Sequence, residues 1–316
     1  LAACRTFSEE NAMLDSESND LLHLVGVTTD GRLWHTIRRE TGWDPFGDVE
    51  GEAGDRGRFI DVDCAGVNGK LHVCGVTDSR HLWHTIRRET SWDPFGDVGG
   101  QAGYIADIGG VGIAEVNGVL HVLGTDEVPG LWHTIRRETG WNPFRDVEGQ
   151  MGDRRGIHTV ACAGVNNKLH VCGVTVDNQL LHTIRRKQPI RRETGWDPFG
   201  DVEGQAGNRG IFERVGIAEV NGVLHVCGVT QDGHLWHTIR RETGWDPLRD
   251  VEVPAGDHGF FTDVDCAGIN GELHVCGVTK DGHLWHTIRR KLAWDPFRDV
   301  EVPAGDRGNF RTISVV

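Results

Sequence analysis

The sequence predicts an all-β protein, a single six-bladed β-propeller over residues 1–316 with four antiparallel strands per blade. Three observations carry this. The segment Leu-Trp-His-Thr-Ile-Arg-Arg recurs with its histidine at His35, His84, His133, His182, His237 and His286, and a second histidine keeps step at His23, His72, His121, His170, His225 and His274. Four of the five intervals are 49 residues and the one from His182 to His237 is 55, so six units fill the chain and a two-domain reading fails. Within a unit the apolar residues alternate with strand rather than helical period, and 44 glycines with 10 prolines among 316 residues leave little room for long helices. The 38% apolar content is enough to build a core, which argues against disorder.

The second unit shows how each element arises. Phe59 to Val67, Leu71 to Val76, His81 to Arg88 and Phe95 to Val98 read as four successive strands. Asn68-Gly69 joins the first two with the strongest short hairpin signal, and Asp30-Gly31, Asp232-Gly233 and Asp281-Gly282 mark the next turn in three other units. Glu-Thr-Gly before Trp-Asp-Pro turns the third strand into the fourth. Four short antiparallel strands per repeat is the pattern of a propeller blade. A β-trefoil wants three-fold repeats, and an open solenoid wants polar capping units that neither end supplies.

Closure of the ring requires the ends to meet. Phe310 to Val316 aligns with the first strand of a blade, and Met13 to Ser16 occupies the same register at the other end, so one of the two completes blade 1. The six extra residues of blade 4 read as a local duplication of Ile-Arg-Arg, running from Arg185 to Arg192. Blades 2, 4 and 6 carry Cys-Ala-Gly at Cys64, Cys162 and Cys266, whereas blades 3 and 5 carry Ile-Ala-Glu at Ile113 and Ile217, which suggests a duplicated two-blade ancestor. Cys64 and Cys74 and their copies straddle the first hairpin. A strict two-residue turn sets Cys64 opposite Val73, so the sulfurs meet only if the turn is bulged. Buried free thiols in a reducing compartment are the simpler expectation. No close Cys-x-x-Cys pair points to zinc.

The formal charge of −14 argues against nucleic acid as partner, because affinity for phosphate backbones comes from a cationic footprint. No apolar run is long enough to insert in a membrane, and Leu-Ala-Ala-Cys-Arg is too short and too soon polar for a signal peptide. A soluble protein, cytoplasmic or secreted, is expected.

Candidate binding chemistry lies in the repeats. One tryptophan series, Trp34, Trp83, Trp132, Trp236 and Trp285, sits mid-strand and reads as core between blades, with Leu181 in blade 4. The other, Trp43, Trp92, Trp141, Trp196, Trp245 and Trp294, is complete in all six blades and lies at a loop–strand junction. Beside it Arg38, Arg87, Arg136, Arg240 and Arg289 offer guanidinium forks; an indole face for sugar C–H groups with charged forks for hydroxyls suits a glycan. Arg38 and Arg39 and their copies alternate across the third strand, one facing each side of the blade, and Glu40, Asp44 and Asp48 with their copies make both readable as members of ion pairs between blades as well as ligand contacts. Both histidine series are expected between blades, bonded to neighbouring backbone or carboxylates. No cofactor is expected; the residues best suited to a structural divalent cation are Asp61, Asp63, Asp263 and Asp265, since i and i+2 on a strand share a face.

Asp-Gly-x-Leu-Trp-His-Thr-Ile-Arg followed by Trp-x-Pro-Phe-Gly-Asp-Val resembles the tectonin-type propeller repeat and is similar to repeats of bacterial and fungal propeller lectins, over essentially the whole chain. The resemblance implies several equivalent glycan sites between blades and recognition of cell-surface glycans in innate defence. Blade 4, with Leu181 and the insertion, and blade 2, with Ser79-Arg80 for Asp-Gly, depart from it. Near-identical blades make several equivalent pockets, whereas an enzyme needs one asymmetric constellation, and no Gly-x-Ser-x-Gly, His-Glu-x-x-His or phosphate loop occurs. A carbohydrate-binding protein without enzymatic activity is therefore expected. The alternatives are a metal-dependent propeller hydrolase working in the central channel and a non-catalytic protein-interaction scaffold. Oligomeric state and sugar identity are not legible.

Overall fold

A computed structural model describes residues 21–316 apart from 106, 127, 129, 188–193 and 292. Six antiparallel sheets follow one another around a central channel, and each is one predicted blade. Blade 2 runs outward from the channel through Phe59–Val67, Lys70–Thr77, Leu82–Arg87 and Gly96–Asp97. Asn68 and Gly69 both adopt positive φ, +50° and +71°, so the hairpin is the tight two-residue turn whose twist matches the strands.

The outermost strand differs from the expected continuous one. In blade 1 it is two short pieces, Gly42–Trp43 and Gly47–Asp48, both paired with Leu33–Arg39 and separated by Asp-Pro-Phe. Proline breaks the ladder because it has no N–H to donate. A single helical turn follows in every blade, Val49–Ala53 in blade 1, where Asp48 accepts a hydrogen bond from the Gly51 N–H as N-cap. Glu50 of this turn reaches back to accept the Leu33 N–H at 2.8 Å. These turns were not expected from the sequence.

The C-terminal segment closes the ring. Phe310–Val315 pairs antiparallel with Leu22–Thr28 and forms the innermost strand of blade 1. The competing segment Met13 to Ser16 and the duplicated stretch 188–192 lie outside the described residues. Six apolar clusters hold the ring, and each lies in a seam between neighbouring blades rather than within one. Between blades 1 and 2, for example, Val25, Val27 and Leu33 meet Phe59, Val62, Cys64 and Val73. Each blade contributes apolar residues from both of its faces to these clusters, so it is buried by its two neighbours.

Cys64 pairs in register with Val73, and Cys74 with Asp63, so the two thiols face opposite seams. Cys64, Cys74, Cys162, Cys172, Cys227, Cys266 and Cys276 are buried and free.

Around the channel the repeats diverge. Asp61 and Asp63 of blade 2 accept the Val111 and Ile113 N–H groups of blade 3, the first at 2.8 Å and the second at 2.5 Å. Asp263 and Asp265 of blade 6 do the same for Ile313 and Val315 of blade 1, at 2.9 and 2.8 Å. The carboxylates thus pair strand-edge N–H groups that a closed ring would leave without partners. At two other seams backbones come into direct contact: a Cβ on Gly164 or Gly268 would overlap the carbonyl oxygen of Glu115 or Glu219.

Candidate functional site

The site is built from three neighbouring pieces of one blade and the histidines of the blade before it. Arg38 and Trp43 are cross-strand partners in the antiparallel pair between the third strand and the first half of the fourth, so their side chains share a face. The same register joins Arg87 to Trp92, Arg136 to Trp141, Arg185 to Trp196, Arg240 to Trp245 and Arg289 to Trp294. The threonine of His-Thr-Ile fixes the turn that carries each tryptophan. The Thr36 hydroxyl donates to the Asp44 carbonyl at 2.5 Å, and the Asp44 N–H donates to the Ile37 carbonyl at 2.8 Å.

The histidines correct an expectation. They bond neither backbone nor carboxylate but each other: His23 Nδ1 lies 2.9 Å from His35 Nε2, and the five copies lie at 3.0–3.1 Å. Residues twelve apart meet because His35 is the diagonal neighbour of His23 across the two middle strands, with Ile37 directly opposite. Both are buried. Burial and then the Arg87 guanidinium of the next blade push His23 down to about 4, and His35 goes well below the usual imidazole range for the same reason, with His23 adding to it. The pairs are therefore neutral at physiological pH, one ring donating and the other accepting.

Each pair abuts the next blade. The ring of His35 meets Trp92 edge-on at 5.3 Å, and the contact recurs from His84 to Trp141, His133 to Trp196, His182 to Trp245, His237 to Trp294 and His286 to Trp43 at 5.3–5.5 Å. The second tryptophan series is half-buried, so it braces the seam with one edge and leaves part of the indole at the cleft. The first series also packs against the seam clusters, as Trp34 does beside Trp43.

Arg38, Arg87, Arg136, Arg185, Arg240 and Arg289 are half-buried in the same clefts. Desolvation lowers the pKa of Arg38, Arg87, Arg185 and Arg289. Arg240 lies 5.7 Å from the centroid of its own Trp245 and donates to the Gly244 carbonyl at 3.2 Å. Between blades 2 and 3 a cleft of about 630 Å³ is lined by His72, Lys70 and Arg88 on one side and Arg136, Arg137 and Glu138 on the other. Arg185 was not among the expected site residues; its register with Trp196 shows that the insertion in blade 4 leaves the position intact.

The second arginine of each pair behaves differently from the expectation. Arg39 bonds Asp44 of its own blade at 2.9 Å, so these ion pairs staple the outer turn rather than join blades. Arg88–Asp93, Arg186–Asp197, Arg241–Asp246 and Arg290–Asp295 repeat it.

The channel has a volume of about 1030 Å³. Asp61, Asp63, Asp263 and Asp265 stand at its wall, engaged with the N–H groups described above, and Ser314 donates to Asp63 at 2.5 Å. Burial pushes Asp61 up to about 6 and Asp63 up to about 7. Among the described residues no three His, Cys, Asp or Glu side chains are grouped as a metal ion would require. Among them, too, no helix is long and apolar enough to cross a membrane.

No family profile and no curated protein matches the sequence. Solved structures do match the fold. AofleA from Arthrobotrys oligospora shares 12% identity over 93% of this chain and 85% of its own, with a TM-score of 0.65. The fucose-specific lectin from Aleuria aurantia shares 10% over 90% and 93%, at 0.62. The BP39L lectin from Burkholderia pseudomallei shares 15% over 89% and 81%, at 0.60. At these identities the likeness establishes one thing: this chain has the six-bladed propeller fold.

Proposed function

We propose that this protein is a non-enzymatic, carbohydrate-binding propeller with equivalent glycan clefts at its blade seams. The observation that carries the reading is the repeated juxtaposition of a half-buried arginine and a tryptophan edge, Arg87 with Trp92, against the neutral His23–His35 pair of the preceding blade. A pyranose offers an apolar C–H face and vicinal hydroxyls. The indole supplies a surface for the first, the guanidinium a forked donor for the second, and the imidazole pair a donor and an acceptor. Trp43, Trp141, Trp196, Trp245 and Trp294 with Arg38, Arg136, Arg185, Arg240 and Arg289 repeat the arrangement at the other seams. Such repetition suits multivalent capture of cell-surface glycans, where effective concentration multiplies modest single-site affinities, and the tectonin-like repeats fit a role in innate defence. Fucose is the first sugar to try, because two of the structural relatives are described as a fucose-specific lectin and as a lectin in complex with alpha methyl fucoside.

Titration of the intact chain on a glycan array and by calorimetry with methyl α-fucoside tests the reading. Several equivalent sites per chain are expected, and Arg289→Ala should silence about one of them while the thermal transition stays in place. Absence of binding to every glycan by natively folded protein would sink the proposal.

A further inference from the structure

We infer that the seam between blades 3 and 4 is an anion-selective version of the other clefts, built for a saccharide that carries a sulfate ester or a carboxylate. The inference rests on the glycan-binding reading and refines it at one seam.

In blades 1, 2, 4, 5 and 6 the exposed second arginine is neutralised by the aspartate of Trp-Asp-Pro. Blade 3 has Asn142 in that place. The backbone there is unchanged: the Thr134 hydroxyl donates to the Asn142 carbonyl at 2.5 Å, and the Asn142 N–H donates to the Ile135 carbonyl at 2.9 Å. Only the carboxylate charge is gone, and Arg137 has no carboxylate within ion-pair distance among the described residues.

Two further cations complete the set. Arg145 extends from the strand pair beside His133, where blades 1, 2 and 4 have Gly47, Gly96 and Gly200. Blades 5 and 6 carry Arg249 and Arg298 at this position but retain Asp246 and Asp295. Across the seam, Arg185 of blade 4 is half-buried in register with Trp196, and after desolvation Arg137 and Arg145 are among the charges that lower its pKa. Below these cations lie the same His121–His133 pair, bonded at 3.0 Å, and Trp196, 5.5 Å from His133. A sugar ring seated there as at the other seams would place a sulfate or carboxylate among guanidinium groups, whose planar forks match either oxyanion bidentately.

An array on which each neutral glycan stands beside its sulfated and its carboxylated counterpart tests this with the whole chain and with Asn142→Asp, which restores the ion pair of the other five blades. The wild type should bind at least one of the charged forms about three- to tenfold tighter than the neutral one, at about one site per chain and less so at high salt. The order of the two charged forms tells which oxyanion the cleft prefers. In Asn142→Asp the preference should vanish while binding of neutral glycans and the thermal transition are kept. Equal affinity for charged and neutral glycans, or a preference that survives Asn142→Asp, overturns the inference and leaves glycan binding standing. Folded protein that binds no glycan of any class overturns both.

Discussion

Mild acid should unfold this propeller at a pH where ordinary exposed carboxylates are still ionised. Burial, aided at each seam by an arginine of the next blade, pushes His23, His72, His121, His170, His225 and His274 down to about 4. Their partners His35, His84, His133, His182, His237 and His286 fall lower still, because they are more deeply buried. In the unfolded chain each would titrate near its ordinary 6.5. Between these values the unfolded state binds more protons, so the stability contributed by each neutral imidazole is complete above 6.5 and lost as the pH falls. Linkage puts the loss at about 2 kcal/mol per first-series histidine at about pH 5. Six of them amount to about 12 kcal/mol, comparable with the whole stability of a typical domain, about 5–15 kcal/mol.

Burial also raises Asp263 and Asp265, which with Asp61 and Asp63 oppose this. The folded state takes up these protons first, and Asp61 and Asp63 alone return about 4 kcal/mol over the same interval. The second histidine series, shifted further than the first, keeps the net change destabilising. Thermal melts followed by circular dichroism from about pH 8 to about pH 5 should show the midpoint falling steeply below pH 6.5. Potentiometry should register several protons taken up as the chain unfolds. A midpoint that is flat across the interval, or uptake of less than about one proton, would refute the assignment of neutral, buried imidazole pairs.

Two further outcomes follow from the ring. Gly164→Ala and Gly268→Ala should each cost about 1–3 kcal/mol through overpacking against a neighbouring carbonyl, whereas Gly66→Ala, with open space at the same repeat position, should be near neutral by chemical denaturation. If all three behave alike, the close backbone approach at those two seams is wrong. Removal of Phe310 to Val316 should abolish the single cooperative transition, since it strips blade 1 of its innermost strand and leaves Asp263 and Asp265 without the Ile313 and Val315 N–H groups. A truncated chain that melts at the wild-type midpoint would show that another segment closes the ring.

The blade was legible because its signals are local. Asn68-Gly69 needs only two residues to specify a hairpin, and the alternation of Leu71 to Val76 needs only its own strand. The opposed faces of Cys64 and Cys74 followed from the same turn, since a two-residue loop fixes register. The arginine and tryptophan positions of the candidate site were visible as repeats, and the structure brings them together as cross-strand partners. What they would meet was not visible. The spacing of twelve between the two histidines recurs in every unit and straddles a turn, a signal of a cross-strand pair that periodicity alone does not announce. Their contact with the tryptophan of the following blade depends on how sheets stack around the axis.

The sequence by itself determined the class, the number of blades, the strand pattern and the identity of the repeated polar residues, because these follow from chain-local propensity and period. Tertiary structure decided which terminus closes the ring, that the histidines pair with each other, that the aspartates of blades 2 and 6 satisfy the inner strands of their neighbours, and that blade 3 presents unneutralised arginines to blade 4. Three of these depend on contacts across a seam or around the ring, where the partner lies about 50 residues away or at the opposite end of the chain, while the histidine pair forms within one blade between residues twelve apart. A repeat that looks equivalent along the chain becomes distinct only when its neighbour in space differs.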